Sequence, residues 1–205
     1  DKVKEFDNGT LNAEGKDVVV IGGGDTAMDC VRTAVRQKAK SVSCLYRRDK
    51  ANMPGSAREV TNAEEEGVKF IWLSSPKIFK GNEKVENVVL NKMRLGEPDS
   101  SGRQSPKIIE GSEEVLNSDL VIEALGFEPE EIPKLFNEPE LEVTKWGTIK
   151  VDLKTLKTNI KGVFAAGDIV RGASLVVWAI RDGRDAAKGM SQYLRQLSKN
   201  KIRAA

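Results

Sequence analysis

Apolar residues in this chain come in short unbroken runs separated by stretches with helical spacing. "DVVVI", Asp17–Ile21, is β-branched and has no polar interruption after its first residue, which suits a strand buried on both faces. Over residues 26–37 the period changes. Ala27, Cys30, Val31, Ala34 and Val35 share one stripe, and a helix is predicted. "SVSCLY", residues 41–46, predicts a second strand. This succession is that of two parallel strands joined by a crossover helix. Residues 56–68, "SAREVTNAEEEGV", predict another helix that stops at Gly67, and "KFIWL", 69–73, a third strand.

Beyond residue 73 the texture alters. Residues 84–95 and 106–116 read as short strands around "GEPDSSGRQSP", a loop full of turn formers, so an antiparallel excursion is expected. "SDLVIEALG", 118–126, returns to a buried strand. Residues 127–148 are rich in Pro and Glu and suit a boundary. "GVFAAGD", 162–168, predicts a strand ending at Ala165 and Ala166, and a long helix is expected from Ser174 to about residue 197. The expected organisation is a linker over 1–14, a Rossmann-like three-layer α/β domain over 15–126, and a C-terminal part over 127–205.

Composition narrows the classes. The 205 residues are 39% hydrophobic and 31% charged, enough for a real core. A net charge of +2 argues against a broad electrostatic grip on nucleic acid or anionic lipid. There is no apolar run of about 18 residues, as a membrane span needs, and no signal-peptide pattern. A cytoplasmic protein with no nucleic-acid or membrane partner is expected. The chain opens on Asp1 rather than Met, and it reads as a piece of something longer. It has two cysteines and no histidine, so the usual zinc site and the commonest general base are both excluded. Cys30 and Cys44 read as small buried apolar residues. Trp72, Trp146 and Trp178 read as fillers of core or edge and Glu64 to Glu66 as a solvated helix face, while a pairing of Arg58 with Glu59 near a ligand mouth is the weaker reading of those two.

The candidate chemistry sits where the first strand becomes the first helix. Gly22-Gly23-Gly24-Asp25-Thr26-Ala27 fits G-x-G-x-x-A in the strand–turn–helix–strand setting of a dinucleotide fingerprint. Gly22 allows the tight turn, Gly24 lets a diphosphate approach the backbone, and Ala27 lets the helix lie close to its strand. The free amides and dipole of the helix start would face the phosphates. At the end of the second strand an NAD site usually carries an acid for the ribose 2′-hydroxyl. Here the strand ends Tyr46-Arg47-Arg48-Asp49. Two guanidiniums suit a 2′-phosphate, so NADPH is favoured over NADH, with Asp49 orienting one of them. A second strand–turn–helix, at Gly167, Asp168 and Ser174, has a carboxylate that can take hydroxyl hydrogen bonds and a Ser that can cap the helix. It suits a flavin or another polyol phosphate.

The run Thr158, Gly162 to Asp168 and Gly172 to Ala187 resembles the closing FAD segment of pyridine-nucleotide flavoproteins. "GGGDTAMDC", "YRRD", "NMPGSAREV", "AEEEGVKF" and "GEPDSSGR", in that order, resemble the NADPH-binding part of the glutamate synthase small (beta) subunit family. The likeness covers about residues 15–195, and similar modules occur in dihydropyrimidine dehydrogenase and NADPH–ferredoxin transhydrogenases. It implies a cytoplasmic NADPH-dependent oxidoreductase of glutamate biosynthesis. Hydride passes from NADPH to FAD, and electrons leave through iron–sulfur clusters to the large (alpha) subunit. Carried over, Gly22, Gly23, Gly24, Asp25, Thr26 and Ala27 hold the NADPH diphosphate and Arg47 and Arg48 its 2′-phosphate. Gly126 lies near the nicotinamide, Gly167 and Asp168 touch the FAD ribityl-diphosphate, and Ser174, Leu175 and Val176 its ring edge. The cysteine-rich region and the first glycine fingerprint of that family have no counterpart here. The expectation is that the chain keeps the NADPH fold, binds FAD poorly by itself and ligates no cluster with Cys30 and Cys44. No side chain is expected to act as acid or base, because the cofactors carry the chemistry. The alternatives are the same module serving ferredoxin or a pyrimidine-reducing partner, and a non-catalytic nucleotide-binding module.

Overall fold

A computed structural model describes residues 12–100, 102, 104–126 and 128–204. The chain divides into two compact units, Asp1–Gly126 and Phe127–Ala205. The first contains β1 (Asp17–Ile21), α1 (Asp25–Arg36), β2 (Ser41–Leu45), α2 (Ala57–Glu65), β3 (Lys69–Ile71), β4 (Ser74–Lys80), β5 (Asn87–Pro98), β6 (Gln104–Ile108), β7 (Glu114–Asn117) and β8 (Leu120–Glu123). A one-turn 3-10 helix, Lys50–Asn52, precedes α2.

Four strands form a parallel sheet in the order β3-β2-β1-β8. Val18 sits opposite both Val42 and Leu120, so β1 is central. Its residues alternate between two cores. Val18 and Val20 pack with Ala27, Met28 and Val31 of α1 and Val60 and Ala63 of α2. Val19 and Ile21 pack with Val88 and Leu90 of β5. Val18, Val19 and Val20 are 1%, 1% and 0% exposed. Each such valine contributes about 1.5–3 kcal/mol of burial, which is what the unbroken apolar run supplies. The three layers are therefore helices, parallel sheet and antiparallel sheet, as the α/β reading expects.

The antiparallel layer is organised by β5, which pairs with β4 and β7 through its first half and with β6 through its second. Three sequence expectations change here. The strand expected over 84–95 begins at Asn87. The one expected over 106–116 is two strands, interrupted at a turn where Gly111 takes φ 72° and the Ser112 hydroxyl accepts the Lys92 amide. β4 carries no strand signal in "SSPKIFK" and was not expected. Its Pro76 sits beside a register shift at Ile78, on a strand at the end of the pairing order, where a missing amide is tolerated.

The α1 stripe also differs in detail. Ala27, Met28, Val31 and Ala34 are buried, whereas Cys30 and Val35 are only half-buried, so the helix face is turned toward Met28. The linker expected over 1–14 lies outside the described residues up to residue 11. Ala13, inside that range, is buried, and its amide donates to the Gln37 side chain at 2.9 Å.

The second unit has α3 (Ile132–Leu135), α4 (Asp168–Arg171) and α5 (Val176–Ala204), with isolated bridges Val143–Ile149 and Lys157–Phe164. The strand expected to end at Ala165 and Ala166 is reduced to that second bridge. A tight turn closes it, with the Val163 amide on Ile160 and Gly162 at φ 84°, and on the outer side the Ala165 amide reaches the Leu156 carbonyl. Ser174 does not cap α5, because the helix begins at Val176 and its first turn closes from the Trp178 amide to the Leu175 carbonyl. Among the described residues no helix is long and apolar enough to cross a membrane.

Candidate functional site

In the first unit, β1 is followed by a helix leading to β2 on one side, while β8 lies on its other side. Strand order reverses at β1, and in such sheets ligands settle beyond the carboxyl ends of the strands at that point. A cleft of about 840 Å³ occupies that place, lined by Gly22 to Gly24, Thr26, Tyr46 to Arg48, Pro54, Ser74 to Pro76 and Ala124 to Gly126.

The three glycines answer three different neighbours. Gly22 has φ 148°, and a Cβ there would stand 2.9 Å from the Ala124 carbonyl carbon and closer still to its oxygen. Its smallness serves the end of β8 as much as the turn. A Cβ on Gly23 would meet the Tyr46 ring, 2.9 Å from Cζ and nearer to the ring edge. A Cβ on Gly24 would have no atom within 4 Å, so the space beside it is open. Gly24 is the N-cap of α1 and provides no side-chain hydrogen bond. The first-turn amides of α1 therefore face that space without a competing cap.

The sequence-predicted residues separate into groups. Gly22, Gly23, Gly24, Thr26, Arg47, Arg48 and Gly126 line the cleft. Ala27 is fully buried against the sheet, a packing position. Asp25 is not among the lining residues, and its Oδ1 accepts the Ser56 amide at 2.9 Å. Arg47 is exposed and Arg48 half-buried, and the Arg48 Nε is buried without a hydrogen-bond partner. A buried guanidinium nitrogen left unpaired is costly unless an anion completes it. Asp49 does not orient either arginine. It caps the 3-10 turn, taking the Asn52 amide at 2.9 Å and the Asn52 side chain at 2.7 Å. Gly126 has φ 94° and open space around it.

Sequence reasoning gave no role to Pro54, Ser74, Ser75 or Pro76. Pro54 lies inside "NMPGSAREV", but the serines belong to β4, which carries no strand signal. Arg58 and Glu59 do not pair; Glu59 binds Arg32 of α1. Glu66 also binds Arg32, at 2.7 Å, and the guanidinium hydrogen bond holds its carboxyl below the usual range. Of the expected solvated face, Glu65 is exposed and Glu64 pairs with Lys50 at 2.8 Å. Trp72 stacks on Phe70, with centroids 4.8 Å apart. Cys44 is buried, which pushes its thiol up to about 12.

In the second unit Gly167 has φ 79° and ψ −149°, a region essentially reserved to glycine. Asp182 of α5, 3% exposed, braces this turn. Its carboxylate receives Arg171 at 2.5 and 2.7 Å and the Gly167 amide. Arg171 in turn lies over Trp178, 5.2 Å from the ring centroid. Asp168 and Ser174 are exposed, and Leu175 and Val176 are 63% and 71% exposed. An apolar cavity of about 670 Å³ lies in the same unit, lined by residues that include Phe136, Leu141, Phe164 and Ile169, and by none of these candidates.

The Arg171 hydrogen bond lowers the Asp182 pKa, outweighing the effect of burial. A lowered folded-state pKa stabilises the fold above the ordinary carboxylate value near 3.9, and that contribution fades as pH falls through the folded value. Asp182→Asn is expected to lower the melting temperature at pH 7, with the difference from wild type shrinking below about pH 4. Thermal melts of both proteins across pH 2.5–7 would show it; a pH-independent difference would contradict the pairing.

A family model described as pyridine nucleotide-disulphide oxidoreductase matches residues 1–183. The chain is 65% identical over 193 residues to a glutamate synthase [NADPH] small chain of Azospirillum brasilense, covering 94% of this chain and 40% of that protein. It is 47% identical over 186 residues to the NADP(+)-dependent formate dehydrogenase subunit beta of Moorella thermoacetica, covering 89% of this chain and 26% of the other. This chain thus spans less than half the length of these curated relatives. Among solved structures, Mycobacterium tuberculosis FprA in complex with NADPH matches with a TM-score of 0.73 at 18% identity, covering 96% of this chain and 56% of that one. Lactococcus lactis thioredoxin reductase matches with a TM-score of 0.71 at 24% identity, over 94% and 57% of the two chains. At these identities the structures establish a shared fold.

Proposed function

Because the chain belongs to the pyridine nucleotide-disulphide oxidoreductase family, we propose that it is the NADPH-binding and closing FAD-binding portion of a glutamate synthase small subunit. Residues 15–126 take NADPH and 127–205 contribute to the flavin site. The observation that carries this is the pair Arg47 and Arg48 on a cleft that begins at an uncapped helix N-terminus. The residues fit the cofactor: open space beside Gly24 for a diphosphate and an unpartnered Arg48 Nε for an added phosphate.

In this reading the amides around Gly22, Gly23, Gly24 and Thr26 hold the diphosphate, with Ala27 packed behind them. Arg47 and Arg48 take the 2′-phosphate, and Gly126 leaves room for the nicotinamide. Gly167 and Asp168 hold the FAD ribityl-diphosphate and Ser174, Leu175 and Val176 meet its ring edge. Bound together, the two cofactors supply hydride transfer from the nicotinamide to the flavin. This chain's residues bind and align them, and no side chain moves a proton. Iron–sulfur ligands come from outside this segment, and the electrons pass to a glutamate synthase large subunit in the cytoplasm.

A second reading keeps the module and changes the acceptor. The likeness to a formate dehydrogenase beta subunit favours it, because one nucleotide module then serves different partners. Two measurements test these readings. Calorimetric titration of the chain should show NADPH binding at least about tenfold tighter than NADH, about 1.4 kcal/mol; equal affinities would refute the arginine assignment. Exchanging this segment into the A. brasilense small chain should give a yellow protein that bleaches on NADPH addition. Glutamate formation with a large subunit supports the first reading, and ferredoxin reduction without it supports the second. A flavin that binds and never bleaches would leave only a nucleotide-binding module.

A further inference from the structure

An acid in the first turn of a helix that should receive a diphosphate is a puzzle, since like charges repel there. The hydrogen bonding around residues 52–56 resolves it. Ser56 is the N-cap of α2 and supplies no side-chain cap of its own, and its amide donates to Asp25 Oδ1 at 2.9 Å. One residue earlier, the Gly55 amide donates to the Gly23 carbonyl at 2.9 Å. Four residues earlier, the Asn52 carbonyl accepts the Tyr46 hydroxyl at 3.0 Å. Met53 packs on the helical core, and Pro54, held between these attachments, faces the cleft.

The fit is close. A Cβ on Gly55 would stand 3.0 Å from the Gly23 carbonyl oxygen. Behind the segment, Arg32 of α1 holds Glu59 and Glu66, at the start and just past the end of α2.

Resting on the nucleotide reading above, we propose that residues 52–56 are a fixed wall of the dinucleotide cleft. Asp25 is the positioning residue that pins this wall, rather than a ligand of the diphosphate. The wall stands against Gly23 and Gly24, so it sets the space for the part that NADPH and NADH share. Arg47 and Arg48 stand at the end where the two nucleotides differ. Loss of the pin therefore weakens both nucleotides equally.

The test is calorimetric titration of the chain and its variants with NADPH and with NADH, alongside thermal melts. Asp25→Ala should weaken both by about tenfold, the scale of one amide-to-carboxylate hydrogen bond, with their ratio unchanged. Asp25→Asn should stay within about twofold of wild type, since its Oδ1 still accepts the Ser56 amide. Ser56→Pro removes that amide while leaving Asp25 in place, and the Ser56 φ of −55° suits proline. It should match Asp25→Ala, and the double variant should be no weaker than either single one. Should Asp25→Ala fail to fold, Ser56→Pro and Asp25→Asn decide the matter. Wild-type affinity in Asp25→Ala or in Ser56→Pro, an Asn variant as weak as the Ala one, or additive losses would overturn the pin alone. A wild-type chain that binds neither nucleotide would overturn the functional reading and the pin with it.

Discussion

Replacing Arg47 and Arg48 together by alanine is expected to weaken NADPH binding about 100-fold while changing NADH binding less than about threefold. A hydrogen bond to a charged group is worth roughly 1.5–3 kcal/mol, and two guanidiniums on one phosphate reach that loss even after mutual screening. The two arginines are not equal. Arg48 is half-buried with an unpaired Nε, whereas Arg47 is exposed. Arg48→Ala should therefore account for most of the loss, and raising salt from 50 to 500 mM should erode the Arg47 share first. Folding stability should hardly fall in Arg48→Ala, because the variant removes a buried polar atom that has no partner in the free protein. Calorimetry with both nucleotides at two salt concentrations measures the affinities, and urea unfolding of Arg48→Ala measures the stability. Equal losses for NADPH and NADH would show that the arginines do not read the 2′ position.

Gly22→Ala is expected to cost about 4 kcal/mol of folding stability, a large fraction of what a domain possesses. Two causes add: an alanine forced to φ 148°, and a methyl driven into the Ala124 carbonyl at the end of β8. Neither neighbour can yield, since Val20 and Ile122, one position inside each strand end, are paired in the sheet. The other two glycines provide the control. Gly24→Ala meets no atom and has an ordinary φ of −89°, so its stability should stay within about 0.5 kcal/mol. Its nucleotide affinity should fall, because the methyl enters the space a diphosphate needs. Gly23→Ala should fall between the two, since its obstacle is a ring edge that can shift. Urea unfolding of the three variants would order them, and wild-type stability in Gly22→Ala would contradict the close approach of β8.

What could be read before the structure follows from range. The run Val18 to Ile21, the glycine turn and the α1 stripe are local patterns, and each became the expected element within a few residues. The buried second face of β1 was legible too, because only a strand covered on both sides lacks polar alternation. What covers that face was not fully legible: β4 begins Ser-Ser-Pro, which reads as a turn, and it is a strand only because β5 offers it an edge. The roles of the acids were hidden for a related reason. Asp25 reaches the amide of Ser56, 31 residues away, Asp49 caps its own turn instead of a neighbour's arginine, and Asp182 serves a glycine in a different element. Residue type announces a carboxylate, but only the fold says which donor it meets.

The place of β8 bears on how the chain is made. Its four residues complete β1 on one edge, yet they lie about a hundred positions downstream, with the Asp17 amide bound to Asp119. During synthesis the first βαβ unit leaves the ribosome with Val18 to Ile21 unpaired on one side, and stays so until the whole antiparallel insert has emerged. Such a waiting edge invites the wrong strand. A nascent chain halted near residue 110 should therefore exchange its Val19 amide rapidly and recruit holdase chaperones, and one halted past residue 150 should do neither.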